Sequence, residues 1–132
     1  MIFIRVLFIP CGKKPEIREI DGSLKSMQEL VGGLIEDVCW GDEKMALICN
    51  DEGLLLGLPP NRSIRWEETG GCAIIHGDFF LCGVDGENYT SLPPKLIEFY
   101  AERFRYPEIF LSDGEGGILS LTLRFSIEKG CE

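Results

Sequence analysis

The segment LIEDVCWGDEKMALIC, residues 34–49, predicts a β-hairpin. Two runs rich in apolar residues, 34–40 and 44–49, flank the insert Gly41-Asp42-Glu43. An insert of this length and composition typically joins two antiparallel strands. The centre of the chain therefore favours an antiparallel sheet.

Further strands are predicted on both sides of this hairpin. Residues 2–9 are apolar on both alternating faces except at Arg5, a pattern typical of a central strand covered on both sides. Asn50-Asp51-Glu52-Gly53 predicts a turn, the apolar run at 54–58 a short buried strand, and 63–71 a loop. The other predicted strands are residues 16–20, residues 72–84 with an interruption at Gly77, and residues 119–127.

Two helices are predicted from apolar spacing and end signals. The first begins at Leu24, is capped by Asp21 or Ser23, and ends at Gly32-Gly33. The second is opened by Pro93-Pro94 and carries a broad apolar face. Because strands outnumber helices and tight turns join most of them, we predict an α+β fold: a largely antiparallel mixed sheet with two helices packed on one face.

Composition and charge exclude several classes of protein. The 132 residues predict one domain, residues 1–132, and the net charge is 13 − 22 = −9. No extended basic cluster is present, so we expect no nucleic-acid partner. Residues 1–10 lack the features of a signal peptide, and no apolar stretch reaches about 20 residues, so we expect no membrane association. Without a secretion signal, the six cysteines indicate free thiols and a cytoplasmic location.

Known catalytic and metal motifs are absent from the sequence. There is no phosphate-binding glycine loop, and Cys72, His76 and Cys82 match no compact zinc spacing, so no metal and no cofactor are predicted. His76 and Asp78 form a candidate histidine–carboxylate pair. The favoured interpretation is that Gly77-Asp78 marks a bulge whose carboxylate bonds nearby backbone.

A second set of candidates lies in the middle of the chain. Glu36 shares a strand face with apolar neighbours and needs a partner such as Arg5 or Arg62, either as a structural ion pair or as the floor of a pocket. Asn61 and Arg62 follow two prolines and suit a carboxylate or phosphate, within the molecule or in a ligand. A turn with a structural bridge is the favoured interpretation. The candidate ligand-binding residues are Glu36, Asn50, Asn61, Arg62, His76 and Asp78.

Three segments resemble a known family: VGGLIE (31–36), ICNDEGLLLGLPPNR (48–62) and IIHGDFFLCG (74–83). They are similar to a family of small phage and mobile-element proteins of Firmicutes, catalogued as a domain of unknown function, over roughly residues 1–105. The resemblance implies a small cytoplasmic protein of phage or prophage origin and assigns no catalytic residue. The chain departs from the family pattern from about residue 107, so we expect residues 107–132 to be a C-terminal strand extension beyond the family core.

Three functions remain open. The first is a non-catalytic protein that binds another protein or forms a homo-oligomer through its tail strand. The alternative is a protein that binds or sequesters a nucleotide or other anion, using Asn61, Arg62 and either Trp40 or Trp66. The third is a hydrolase-type enzyme with Glu36, His76 and Asp78 as its acid–base set, for which the sequence supplies no evident nucleophile.

Overall fold

The computed structural model describes residues 3–122, which form ten β-strands and two α-helices. In chain order these are β1 (Ile4–Ile9), β2 (Glu16–Ile20), α1 (Leu24–Val31), β3 (Ile35–Val38), β4 (Met45–Asn50), β5 (Pro60–Arg65), β6 (Cys72–His76), β7 (Phe79–Asp85), β8 (Asn88–Thr90), α2 (Pro94–Arg103), β9 (Glu108–Ser112) and β10 (Ile118–Thr122). The α+β class is confirmed. No helix within residues 3–122 is both long enough and apolar enough to span a membrane.

A six-stranded sheet forms the centre of the fold, with strand order β2-β1-β7-β4-β3 and β8 paired to the far end of β7. Every pairing among the described strands is antiparallel. The predicted hairpin is β3–β4, with Glu36 opposite Cys49. The prediction of an internal first strand is confirmed, because β1 lies between β2 and β7.

The two helices lie on opposite faces of this sheet, so the prediction of two helices on one face is wrong. Met27 and Val31 of α1 pack on one face. Tyr100 of α2 and Phe104, which follows the helix, pack on the other face together with β5 and β6. The reason is that every residue of β4 is buried. A strand that is apolar on both faces requires cover on both.

The apolar run at residues 54–58 is a turn, not the buried strand that was predicted. The backbone N–H of Leu56 donates to the Glu52 carbonyl at 2.8 Å, and that of Leu58 donates to the Gly53 carbonyl at 3.0 Å. These bonds coil the chain and leave Leu54, Leu55 and Leu56 exposed by 72%, 85% and 58%. We call residues 54–56 the leucine turn.

Residues 72–84 form parts of two strands that belong to different sheets. Gly77 has φ +85°, a left-handed conformation that favours glycine, and it separates β6 from β7. Strand β6 pairs with β5, which begins at Pro60 and occupies part of the predicted loop. The resulting β5–β6 hairpin covers the α2 side of the central sheet.

A separate two-stranded sheet, β9–β10, follows α2. The predicted strand at 119–127 corresponds to β10, which begins at Ile118, and residues 123–127 lie outside the described residues. Strand β9 was not predicted. The Glu108 carboxylate ties this hairpin to β5, since it accepts hydrogen bonds from the Ser63 backbone N–H and hydroxyl at 3.1 and 2.7 Å. The single domain and the C-terminal extension stay predictions.

Candidate functional site

Asn61 and Arg62 form a buried clamp inside the protein. The Asn61 amide nitrogen donates to the Ile9 carbonyl at 2.8 Å and to the Gly77 carbonyl at 2.9 Å. Its side-chain oxygen accepts from Nη1 of Arg62 at 2.7 Å. The pair therefore joins the end of β1 to the break between β6 and β7.

The Arg62 guanidinium is completely buried and bonds mainly to backbone carbonyls. Nη2 donates to the carbonyls of Phe104 at 2.8 Å and Lys13 at 2.7 Å, and Nε donates to Phe104 at 3.2 Å. Burial lowers the pKa of Arg62, and the Glu108 carboxylate acts in the opposite direction. Among the described residues no carboxylate lies within ion-pair distance of Arg62, so carbonyl and amide oxygens solvate its charge.

Asn50 also bonds within the protein. Its amide nitrogen donates to the Val31 carbonyl at 3.2 Å, and its side-chain oxygen accepts from the Glu52 backbone N–H at 2.7 Å. Gly33 packs against this side chain, since an added Cβ there would lie 2.8 Å from the Asn50 amide nitrogen. Asn50 thus links the end of α1 to the start of the leucine turn.

An open cleft of about 890 Å³ lies beside these buried groups. Its lining comes from β6 and the end of β5, from β3 and the end of β4, from the leucine turn, and from the β9–β10 hairpin. The apolar lining includes Val38, Leu54, Ile74, Phe110 and Ile118. Of the predicted site residues, Glu36, Asn50 and His76 line the cleft, whereas Asn61, Arg62 and Asp78 do not.

One end of the cleft is acidic. Glu36 and Asp51 are exposed and line it near Cys49, whose thiol donates weakly to the Glu36 carboxylate at 4.0 Å. Burial raises the pKa of Cys49 to about 12, and the charges of Glu36 and Asp51 add to that increase. Both carboxylates therefore act on the same small region.

The other end of the cleft is basic and aromatic. Arg65 and Arg103 line it with Trp66, whose indole N–H donates to the Cys39 carbonyl at 2.7 Å. The Arg103 guanidinium lies over the Phe104 ring, 5.1 Å from its centroid. Neither arginine forms an ion pair with any residue of the described part of the chain.

His76 and Asp78 do not share a site. Nδ1 of His76 lies 3.1 Å from the Leu58 carbonyl, and because a carbonyl only accepts, Nδ1 carries the proton. The Asp78 carboxylate instead accepts from the Cys11 backbone N–H at 2.9 Å, outside the cleft. The suggested set of Glu36, His76 and Asp78 therefore has only two members in the cleft.

Sequence reasoning missed the cleft residues Arg65 and Arg103 and the exposed leucines. Strand alternation carries a signal for Arg65, because Ile64 is buried and Arg65 is exposed on the same strand. The sequence shows no comparable signal for the leucine turn, since a run of leucines ordinarily predicts burial. Within residues 3–122 no group of three histidine, cysteine or acidic side chains is arranged to hold a metal ion.

We expect the cysteines to differ sharply in reactivity. Cys39 and Cys72 are exposed, whereas Cys49 and Cys82 are buried with pKa values raised to about 12, chiefly by desolvation. Since the thiolate is the reactive form, iodoacetamide at pH 8 should alkylate Cys39 and Cys72 on the order of 100-fold faster than Cys49 and Cys82. Peptide mapping by mass spectrometry measures each site. Alkylation of Cys49 at the rate of Cys72 in the folded protein contradicts this description.

The fold and the cleft define an α+β protein in which an antiparallel sheet carries a cleft of mixed charge. A family model described as a domain of unknown function, DUF3846, matches residues 4–105, and the chain belongs to this family. The matched span runs from β1 through α2 and ends before β9. Comparison with curated proteins and with solved structures found no match.

Proposed function

We propose that this protein is a non-catalytic protein-binding module that recognises its partner through the leucine turn and the adjoining cleft. The observation that carries the proposal is the exposure of Leu54, Leu55 and Leu56 by 72%, 85% and 58%. Scattered exposed apolar side chains are ordinary on a protein surface. A contiguous apolar patch marks an interaction site.

The leucine turn is held in place by the residues that immediately precede it. The Asn50 side chain fixes its start through the Val31 carbonyl and the Glu52 backbone N–H. Gly53 lies so close to β6 that an added Cβ would approach the His76 carbonyl oxygen to 2.8 Å. A surface that is ordered before binding loses less conformational entropy on association, which favours its use in recognition.

The apolar surface continues from the turn into the cleft. Leu54 belongs to both, and Leu34, which is 55% exposed, lies beside the turn because its carbonyl accepts from the Asp51 backbone N–H at 2.7 Å. Leucines outside with Ile74 and Phe110 inside suit an amphipathic segment of another protein.

The anion-binding alternative is less well supported. It relied on Asn61 and Arg62, and both side chains are buried and bonded to the protein's own backbone. Trp40 also bonds internally, since its indole N–H donates to the Arg65 carbonyl at 2.9 Å. The leucine turn has no role in binding a small anion, whereas recognition of a protein uses it.

We further propose that the protein acts in the cytoplasm and originates from a phage or other mobile element. The free thiols of the five cysteines within the described residues are in keeping with a reducing compartment. The proposed origin depends on the resemblance of residues 31–36, 48–62 and 74–83 to phage-type proteins of Firmicutes.

Replacing Leu54, Leu55 and Leu56 together by serine should abolish partner binding and leave the fold intact. The three side chains are exposed, so their removal costs little stability but eliminates the apolar contact. Pull-down of the tagged protein from a lysate of the source cells should enrich a partner that the triple variant does not retain. Size-exclusion chromatography with light scattering shows whether that partner is a second copy of the chain.

The matched control replaces Ile17 and Leu24 by serine. Each is 58% exposed, and neither lines the cleft. The thermal unfolding midpoints of this control and of the triple variant should both stay close to that of the wild type. Partner binding that survives in the triple variant, or that is lost equally in the control, contradicts the proposed function.

A further inference from the structure

We propose that the cleft sets the direction of the bound segment: an extended stretch of the partner places an acidic residue against Arg65 and Arg103 and a basic residue against Glu36 and Asp51. The two charged residues of the partner lie about four positions apart with apolar residues between them. This inference rests on the proposed protein-binding function and specifies the partner's chemistry.

Both charged ends of the cleft lack charged partners within the described residues. Arg65 and Arg103 form no ion pair, and neither do Glu36 and Asp51, although all four side chains line the same cleft. Unpaired charges at the rim of an apolar cleft select partners by complementary charge.

The strand register separates these two ends. On the β5–β6 hairpin, Arg65 lies opposite Cys72 next to the connecting loop 66–71, and Pro60 lies opposite His76 at the open end of the hairpin. The acidic end of the cleft lies near the open end, because Gly53, two residues from Asp51, packs against the His76 carbonyl. At the loop end, the indole groups of Trp40 and Trp66 bond the hairpin to the residues just after β3. Four steps along a strand cover about 13 Å, which an extended partner segment also spans in about four residues.

The shape of the cleft favours an extended segment. Strand β6 pairs only with β5 and β3 only with β4 among the described residues, so each has an edge without a strand partner. Such edges accept an added strand, whose alternate side chains then enter the cleft. Ile74 on β6 and Val38 on β3 supply apolar contacts between the two charged ends.

A partner of a single charge fits less well. An anion alone would pair with Arg65 and Arg103 and be repelled by Glu36 and Asp51, and a cation alone would meet the reverse situation. A segment with opposite charges at its two ends satisfies both. Because exposed charges are screened by salt, binding of that segment should weaken as ionic strength rises.

Selection from a displayed library of random 12-residue peptides tests this inference on the intact protein. Peptides retained by the wild type and rejected by the Leu54/Leu55/Leu56 serine variant should share an apolar centre. We expect an acidic residue on one side and a basic residue on the other, in one constant order. Fluorescence anisotropy of the synthetic peptides then measures their affinities.

Charge reversal provides the decisive comparison. Replacing Arg65 and Arg103 by glutamate should weaken the binding of a selected peptide at least about tenfold. Changing the acidic residue of that peptide to lysine should restore its binding to the variant. The matched control replaces Lys14 and Lys25 by glutamate, which changes the net charge equally at exposed positions that do not line the cleft. The control should bind the original peptide within about twofold of wild type.

The two proposals fail in different ways. The direction set by charge is overturned if the selected peptides need the leucine turn but show no constant order of charges. It is also overturned if the lysine exchange does not restore their binding. Either result leaves the proposed function standing. Peptides that bind equally well to the serine variant overturn the proposed function. A selection that yields no specific peptide counts against both.

Discussion

Replacing Arg62 by alanine is expected to lower the free energy of unfolding by about 3–5 kcal/mol. The substitution removes donors to the buried carbonyls of Phe104 and Lys13 and to the Asn61 side chain, and it leaves a cavity where a completely buried side chain stood. Buried acceptors without partners and unfilled core volume are both costly. Urea unfolding followed by tryptophan fluorescence measures the effect.

Two further variants separate charge from geometry at this position. Arg62→Lys keeps the positive charge but loses the planar array of donors, so we expect a loss of about 2 kcal/mol. Arg65→Ala, at an exposed site on the same strand, should change stability by no more than about 0.5 kcal/mol. If the free energy of unfolding of the Arg62→Ala protein lies within about 1 kcal/mol of the wild-type value, the Asn61–Arg62 clamp is not structural.

Replacing Gly83 by alanine should destabilise the protein by about 2–3 kcal/mol. Gly83 lies in β7 opposite Met45 and Thr90, and an added Cβ would clash with the Ser91 carbonyl oxygen and stand 2.6 Å from the Thr90 hydroxyl. The backbone on both sides is held by strand pairing, so the new methyl group forces a shift in the centre of the sheet. The midpoint of thermal unfolding reports the loss.

Gly71→Ala is the matched control for this substitution. Gly71 is exposed, and the nearest atom to an added Cβ is the Thr69 hydroxyl oxygen at 3.3 Å, which needs to shift by only a few tenths of an ångström in an exposed loop. Its stability should stay within about 0.5 kcal/mol of wild type. Equal midpoints for the Gly83→Ala and wild-type proteins contradict the close approach of β7 to the β8 end.

Local signals predicted much of the fold. Alternation and turn residues located the β3–β4 hairpin, and capping chemistry located α1, where the Ser23 hydroxyl accepts from the Ser26 backbone N–H and Gly32 ends the helix with φ +81°. These features depend on neighbouring residues, which sequence patterns record directly. Placing the two helices on opposite faces required the burial of both sides of β4, which is a tertiary property.

The candidate site was harder to predict because a charged side chain is buried there and apolar side chains are exposed, the reverse of what their residue types suggest. Arg62 belongs to a residue type that is rarely buried, and it becomes buried because carbonyls from distant parts of the chain converge on it. The leucines at 54–56 are ordinarily core residues, yet backbone hydrogen bonds around Gly53 coil them outward. Neither outcome is visible in a window of neighbouring residues.

The position of β7 in the central sheet imposes an order on folding. Strand β7 lies between β1 and β4, both of which precede it in the chain. A nascent chain can form the β1–β2 and β3–β4 hairpins early, but each keeps an apolar edge open until Phe79–Asp85 leaves the ribosome. We expect both edges to close only when β7 pairs with β1 and β4, and the open edges to be prone to mispairing before then.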